Sequence, residues 1–373
     1  MRMNILFASD VMSSGGASKL IFDLIHCFVE QGNHCELLIL ADQNLRRADE
    51  LMSLGVRITI VPKERKTILE KLRFIESFID DGHFDVIHAH LFPMFYYIAL
   101  AKRRLGDRCP PIIMTEHNTE NRRRNHPMLR PIEKYIYQKY SVVVSISDKA
   151  QTNLIQWLEC KEYNKFMVLY NGIPLDQFML AVPCDRSQLI PGYAESDFIL
   201  CMVGRFVPQK NHMLMIEVLS KLPDYFKLIM LGEGELLQTV QEEVRRRNLS
   251  GRAFFLGFRA DVARVMKTAD VIVLPSEWEG LCLTAVEAMA CARPIVCSDV
   301  PGLSEVVGDT GIKVEVNQTD SFVRALRSLE DSELAARYSK HAVERAKRFD
   351  IGQTAKGYFR IYQQLTAGKA GGS

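Results

Sequence analysis

The stretch Val271-Ile272-Val273-Leu274-Pro275-Ser276-Glu277-Trp278-Glu279-Gly280-Leu281-Cys282-Leu283-Thr284-Ala285-Val286-Glu287-Ala288-Met289-Ala290 reads as a strand, a loop and a helix in that order. Its first four residues are wholly apolar and mostly β-branched, as a strand covered on both faces requires. Glu279 and Glu287 stand eight residues apart across the junction, with Gly280 between them in the loop. A helix that begins near Leu281 turns the backbone N–H groups of Leu281, Cys282 and Leu283 out of its first turn, and such an end attracts phosphate. At about 1.5 Å per residue, Glu287 lies roughly 9 Å along that helix while Glu279 stays ahead of it. The two acids could then bracket a diphosphate. Each could also be a solvated surface acid, but an unpaired charge at Glu287, set among Ala, Val and Met, would be costly.

The same alternation of short apolar runs and helix-length segments extends along the chain. Strands are expected at Asn4 to Ala8, Cys35 to Leu40, Arg57 to Val61, Val86 to His90, Ile112 to Thr115 and Val142 to Ile146. A second series follows at Phe198 to Val203, Lys227 to Leu231, Ala253 to Leu256, Val271 to Leu274 and Ile295 to Ser298. Helices such as Ala17 to Gln31 and Thr67 to Ile79 fall between them, which demands largely parallel sheets covered on both faces. The fold class is α/β, with two doubly wound halves: a domain over 1–172, a second over 173–350, and a C-terminal helix with a flexible tail over 351–373 that packs back on the first. Turn formers without a clear period, from Pro183 to Gly192, suit a linker. Two such domains facing each other would place a ligand cleft at the carboxyl ends of their strands.

A chain of 373 residues exceeds the size at which one core stops growing. Its net charge of +2 points to no nucleic-acid partner. Nine cysteines, an odd number without Cys-x-x-Cys spacing, suit reduced thiols in a cytoplasmic protein rather than disulfides or zinc. No apolar run approaches 18 residues, so no membrane span is expected. Residues 101–150 nevertheless carry eleven Lys/Arg against five Asp/Glu, chiefly through Arg122-Arg123-Arg124 and Arg130. Such a run is either a solvated face or a site for phosphate or an anionic membrane surface. The segment from Lys63 to Ile79 either lies on a membrane or packs on its sheet.

Other candidates stand at the ends of the expected strands. Arg205 follows the first strand of the second half and Lys210 opens the next helix, so the pair could neutralise a diphosphate leaving group. Gly15 and Gly16 end the first βα turn and let backbone approach a ligand, although a plain tight turn accounts for them almost as well. The turns Leu231-Gly232-Glu233-Gly234 and Leu256-Gly257-Phe258 could flank a base or its ribose, with turn chemistry an equal contender. His117 follows the strand Ile112 to Thr115 and precedes Asn118. His88 and His90 share one face of their strand, as lining or packing, without a third ligand for a metal.

Glu279-x7-Glu287, together with Gly15-Gly16, His117 and the Arg205/Lys210 pair, resembles the retaining glycosyltransferases of family 4, whose fold is the GT-B arrangement of two Rossmann-like domains. The resemblance covers nearly the whole chain and is most specific in the segment ending Glu287-Ala288-Met289-Ala290. It implies that Glu287 holds the ribose of a nucleotide, Glu279 meets hydroxyls of the donor sugar, Arg205 and Lys210 bind the diphosphate, and the amides of Leu281, Cys282 and Leu283 support it. His117 is implied near the reacting centre, with His90, Asn118 and Arg122 on the acceptor side. Cys282 departs from the glycine usual at its position. The implied reaction moves a hexose or N-acetylhexosamine, with retention, from a nucleotide diphosphate sugar (UDP favoured, GDP close behind) to a glycan or lipid-linked hydroxyl in cell-surface polysaccharide synthesis. No metal or other cofactor is implied, and the chain has no Asp-x-Asp. A cytoplasmic enzyme, peripheral at the inner face of the membrane, is the corresponding location. The competing expectations are a nucleotide-sugar epimerase of the same fold and a non-catalytic two-lobed sugar-binding protein.

Overall fold

The computed structural model describes residues 2–12, 16–41, 48–118, 122–160 and 164–367. Residues 1–172 together with 351–373 form one compact unit, and residues 173–350 form the other.

The first unit is built on a parallel sheet of seven strands: β1 (Asn4–Ser9), β2 (His34–Ile39), β3 (Arg57–Ile60), β4 (Val86–His90), β5 (Ile112–Glu116), β6 (Val142–Ser145) and β7 (Phe166–Val168), in the order β3-β2-β1-β4-β5-β6-β7. The second unit holds six parallel strands: β8 (Phe198–Val203), β9 (Phe226–Leu231), β10 (Ala253–Gly257), β11 (Val271–Leu274), β12 (Ile295–Ser298) and β13 (Ile312–Val314), in the order β10-β9-β8-β11-β12-β13. Both are doubly wound Rossmann-like sheets. The winding reverses between β1 and β4 in one and between β8 and β11 in the other, and loops leaving such a reversal are where α/β sheets bind ligands. The strand-by-strand reading of the sequence lacks β7 and β13. Each is only three residues long and closes a sheet edge, which is too short for a periodic signal.

Central strands such as β4 and β11 are buried along their whole length. The helix Ile351–Ala367 completes the first unit, turning Ile351, Ala355, Tyr358 and Tyr362 inward at the three- and four-residue spacing of one helical face. It packs on the helix Gly16–Glu30 and reaches β4. There His88, fully buried, shares hydrogen bonds with the Tyr362 hydroxyl (2.6 Å, at Nδ1) and with Thr115 Oγ1 (2.7 Å, at Nε2). Thr115 Oγ1 is also bonded to the Tyr358 hydroxyl at 2.8 Å. His88 is therefore a packed, satisfied core residue.

The units meet in sequence at Gly172/Ile173, and the stretch Pro183 to Gly192 lies inside the second unit: it contains the helix Arg186–Leu189, buries Leu189 and Ile190, and is tied by the Cys184 amide to Thr268 Oγ1 at 2.8 Å. Its apolar residues enter the core one at a time, so no period betrays them. The helix expected from Thr67 runs from Ile68 to Asp81, with Thr67 and Glu70 forming a capping box. Leu72, Ile75 and Ile79 pack inward, while Ile68 and Leu69 remain exposed.

In the second unit His212 opens the helix His212–Lys221, is 2% exposed and stacks on Phe206 with ring centroids 4.0 Å apart. Burial holds His88 well below the ordinary histidine value of 6.5 and lowers His212 to about 4, helped by nearby Lys210. Both rings are neutral in the fold and take up a proton once unfolded. Stability from this source is complete above about pH 6.5 and is lost as pH falls toward 4. The thermal unfolding midpoint is therefore expected to drop between pH 7.5 and pH 5, and a midpoint unchanged or raised on acidification contradicts this account.

Candidate functional site

Because β8 and β11 are neighbours, the loops at their carboxyl ends meet. Lys210 Nζ lies 2.5 Å from Glu279 Oε1, with the two side chains 17% and 6% exposed. The Ser276 hydroxyl donates to the same oxygen at 2.7 Å. The Gln209 amide donates to Glu279 Oε2 at 3.4 Å and to the Trp278 carbonyl at 2.8 Å, while the Glu277 N–H returns a bond to the Gln209 carbonyl at 2.9 Å. Burial alone would lower the Lys210 pKa, but the Glu279 carboxylate, through its charge and its hydrogen bond, outweighs it and leaves it raised. Arg205 is exposed on the same loop, close enough for its charge to oppose that of Lys210. An anion arriving here meets two cations, one of them already carrying a carboxylate.

The sequence placed Lys210 at the start of a helix, but it ends the short 3-10 turn Pro208–Lys210, and the helix opens after the left-handed Asn211. The helix expected near Leu281 is Leu283–Ala290, with Cys282 before it. The Leu283 N–H turns back to the Leu281 carbonyl at 3.1 Å, so the three amides are not all directed outward. Cys282 is 2% exposed and burial pushes its thiol pKa up, which leaves a neutral thiol in the place of a helix cap. Glu287 is partly exposed between buried Val286 and Ala288. It is not a charge enclosed by apolar neighbours, and the cost argued from the sequence does not arise.

Glycines fix both loops by close approach. A Cβ on Gly302 would stand well inside the 3.0 Å that a real Cβ keeps from the carbonyl oxygens of Glu279 and Gly280. Gly232 and Gly234, both at positive φ, press in the same way on Gly204 and Phe206, which flank Arg205. The Gly232 N–H also donates to the Gly257 carbonyl at 2.9 Å. The turn Leu231 to Gly234, read as a flank for a base, thus has a clear structural occupation. Phe258, after Gly257, is 61% exposed at the end of β10.

In the first unit His90 ends β4 and His117 follows the adjacent β5, and His90 Nδ1 lies 3.0 Å from His117 Nε2. Burial lowers His117 to about 4 and His90 well below 6.5. The Asn118 N–H donates to Glu116 Oε1 at 3.1 Å. The arginine run is not the open cationic face considered from the sequence. Arg124 pairs with buried Glu116 at 3.1 Å, and Arg123 pairs with fully buried Glu133 at 2.7 Å while lying over the Phe92 ring. Tyr137 completes Glu116, and Tyr96 and Trp157 complete Glu133. The side chain of Arg122 lies outside the described residues, as does Gly15; Gly16 opens its helix and is exposed.

Ser276, Gln209, Glu116, Glu133 and Gly302 escaped the sequence reading. Ser276 and Glu116 had a usable signal, one lying three residues before Glu279 and the other directly before His117. Gln209 had the same kind of signal, directly before Lys210, whereas Glu133 acts from the separate helix Arg130–Gln138 and carries none. Among the described residues no cluster of three or more His, Cys, Asp or Glu could hold a metal ion.

Comparison with known proteins places the chain in a family. The model for Glycosyltransferase Family 4 matches residues 14–177, and that for glycosyl transferases group 1 matches residues 188–348. The UDP-Gal:alpha-D-GlcNAc-diphosphoundecaprenol alpha-1,3-galactosyltransferase of Escherichia coli is 33% identical over 187 residues, 48% of each chain. The phosphatidyl-myo-inositol mannosyltransferase of Mycolicibacterium smegmatis is 26% identical over 94% of this chain and 91% of its own. The crystal structure of Anabaena HepE in complex with UDP-glucose superposes with a TM-score of 0.81 at 20% identity, over 97% of this chain and 100% of that one. The chain belongs to glycosyltransferase family 4, has the GT-B fold, and is a glycosyltransferase.

Proposed function

We propose that this enzyme transfers a hexose or N-acetylhexosamine, with retention, from a UDP-sugar to a glycan or lipid-linked hydroxyl in cell-surface polysaccharide synthesis. The observation that carries the donor site is the meeting of Lys210, Glu279 and Arg205 at the reversal between β8 and β11. Preference for UDP draws on the UDP-glucose bound to HepE, and preference for a lipid-linked acceptor draws on the two relatives named above.

In this reading Arg205 and Lys210 take the diphosphate and the amides near Leu281 and Cys282 support it. Glu287 takes the ribose, and Glu279 the sugar hydroxyls. Gly16, Gly257, Phe258 and Gly280 line the donor, and His90, His117 and Asn118 lie toward the acceptor. The anomeric carbon parts from the β-phosphate oxygen as the acceptor oxygen bonds on the same face. The acceptor proton passes to the departing phosphate, and UDP leaves. Fixed cations at the leaving oxygen stabilise the charge that grows there. No metal is required for this division of roles.

The enzyme is proposed to work in the cytoplasm at the membrane surface. Among the described residues no helix is long and apolar enough to cross a membrane. Ile68 and Leu69 are exposed beside Arg65, Lys66 and Arg73, a composition suited to an anionic lipid surface.

Lys210→Ala and Glu287→Ala are each expected to reduce transfer at least about a hundredfold, roughly 2.7 kcal/mol of transition-state stabilisation, with the fold intact by circular dichroism. UDP should raise the thermal midpoint of the wild type and not that of Lys210→Ala. Near-normal transfer by either variant defeats the site, and no stabilisation by any nucleoside diphosphate defeats the activity. Transfer rates should be equal with and without EDTA, whereas loss restored by a divalent cation contradicts metal independence. Sedimentation with phosphatidylglycerol vesicles should exceed that with phosphatidylcholine vesicles and fall in Ile68→Glu/Leu69→Glu; equal sedimentation of variant and wild type rejects this membrane face.

A further inference from the structure

We propose that His90 is a positioning residue for His117: it donates a hydrogen bond from Nδ1 to His117 Nε2 and fixes His117 in the tautomer that carries its proton on Nδ1. The inference rests on the reading of His117 as a group close to the transferred sugar.

His90 has no freedom to turn. It is fully buried at the end of β4, its ring lies nearly parallel to that of Phe7 (centroids 6.0 Å apart, 10°), and the His88 ring packs against it at 4.0 Å. His88 is in turn fixed by Tyr362 and Thr115. The line of support thus runs from the C-terminal helix through His88 to His90 and on to His117.

Two neutral imidazoles 3.0 Å apart share one hydrogen, so one ring donates and the other accepts. The remaining nitrogen of His90, Nε2, decides which. It is buried and has no hydrogen-bond partner among the described residues. If His117 donated, His90 would carry its own proton on Nε2, leaving a buried N–H with nothing to accept it. If His90 donates, Nε2 is a bare lone pair. An orphaned buried N–H is the rarer and costlier of the two. His90 therefore donates.

The tautomer of a histidine is set by the bond its other nitrogen makes. With Nε2 accepting from His90, His117 offers a ligand only its Nδ1–H. It is a hydrogen-bond donor to a substrate oxygen and has no lone pair left to serve as a base. That outcome agrees with a mechanism in which the departing phosphate, not a side chain, receives the acceptor proton.

Long-range proton–nitrogen correlation spectra of the ¹⁵N-labelled full chain at neutral pH, with His117 assigned by its loss in His117→Gln, test this directly. His117 is expected as the Nδ1–H tautomer. His90→Phe keeps a flat ring against Phe7 and removes the donor; His117 should then show a mixture of tautomers in place of the single Nδ1–H form, and kcat should fall about tenfold with donor KM within about twofold. His90→Asn, whose amide nitrogen falls near the former Nδ1, should restore the tautomer and most of kcat. An Nε2–H tautomer in the wild type overturns the proposal, as does a His90→Phe enzyme with unchanged tautomer and kcat. Should His90→Phe fail to fold, the wild-type spectrum alone decides. A wild type with the expected tautomer but no transfer from any nucleotide sugar would overturn the activity and leave the hydrogen-bond assignment standing.

Discussion

The Glu279 carboxylate is largely taken out of water, and the Lys210 ammonium balances its charge. Removing one partner from a buried ion pair costs far more than the pair contributes, so Lys210 and Glu279 bind their two loops together whether or not a ligand is present. Neighbouring groups of the second unit support the same pair. Ser276 and Gln209 use up lone pairs of the carboxylate that would otherwise be stranded. Gly302 lets the neighbouring helix press on the backbone that carries it. In the donor site proposed above, a diphosphate would compete for a lysine already aimed, which is the arrangement that electrostatic catalysis favours.

The first unit solves a parallel problem with different parts. Glu116 and Glu133 are buried acids next to His117 and its following segment, and two of the three consecutive arginines are drawn inward to meet them. The consequence is that charge visible as a basic run in the sequence is spent on internal order. Three histidines in the same region are kept neutral by burial.

Much of the fold could be read from the chain because a buried parallel strand announces itself as a β-branched apolar run, and eleven of these were present. β7 and β13 could not be read, since three residues at a sheet edge carry no period. The helix containing Glu287 was legible, but its first residue was not: the turn of the chain at Leu281 to Leu283 depends on a local backbone bond that no residue type dictates. Lys210 and Glu279 could each be named from sequence, whereas their mutual contact could not, because it exists only once β8 and β11 lie side by side. Glu133 was invisible for the same reason. At Gly232 and Gly234 the sequence leaves a ligand flank and plain turn chemistry equal, as a turn rich in glycine reads alike whether the approaching atoms belong to a ligand or to the protein; the structure shows protein backbone there.

The place of the helix Ile351–Ala367 in the first unit has a bearing on how the chain is made. The unit synthesised first lacks the Tyr362 hydroxyl that bonds His88 and the Tyr358 ring beside it until the C-terminal helix emerges, and the whole second unit is translated in between. At roughly 5–20 residues per second, that delay is on the order of ten seconds or more. Domains translated first normally fold first, but here the earlier one waits with an open flank along the helix Gly16–Glu30 while the later one can close. The nascent chain therefore has to keep that apolar flank from other company until its own last helix arrives.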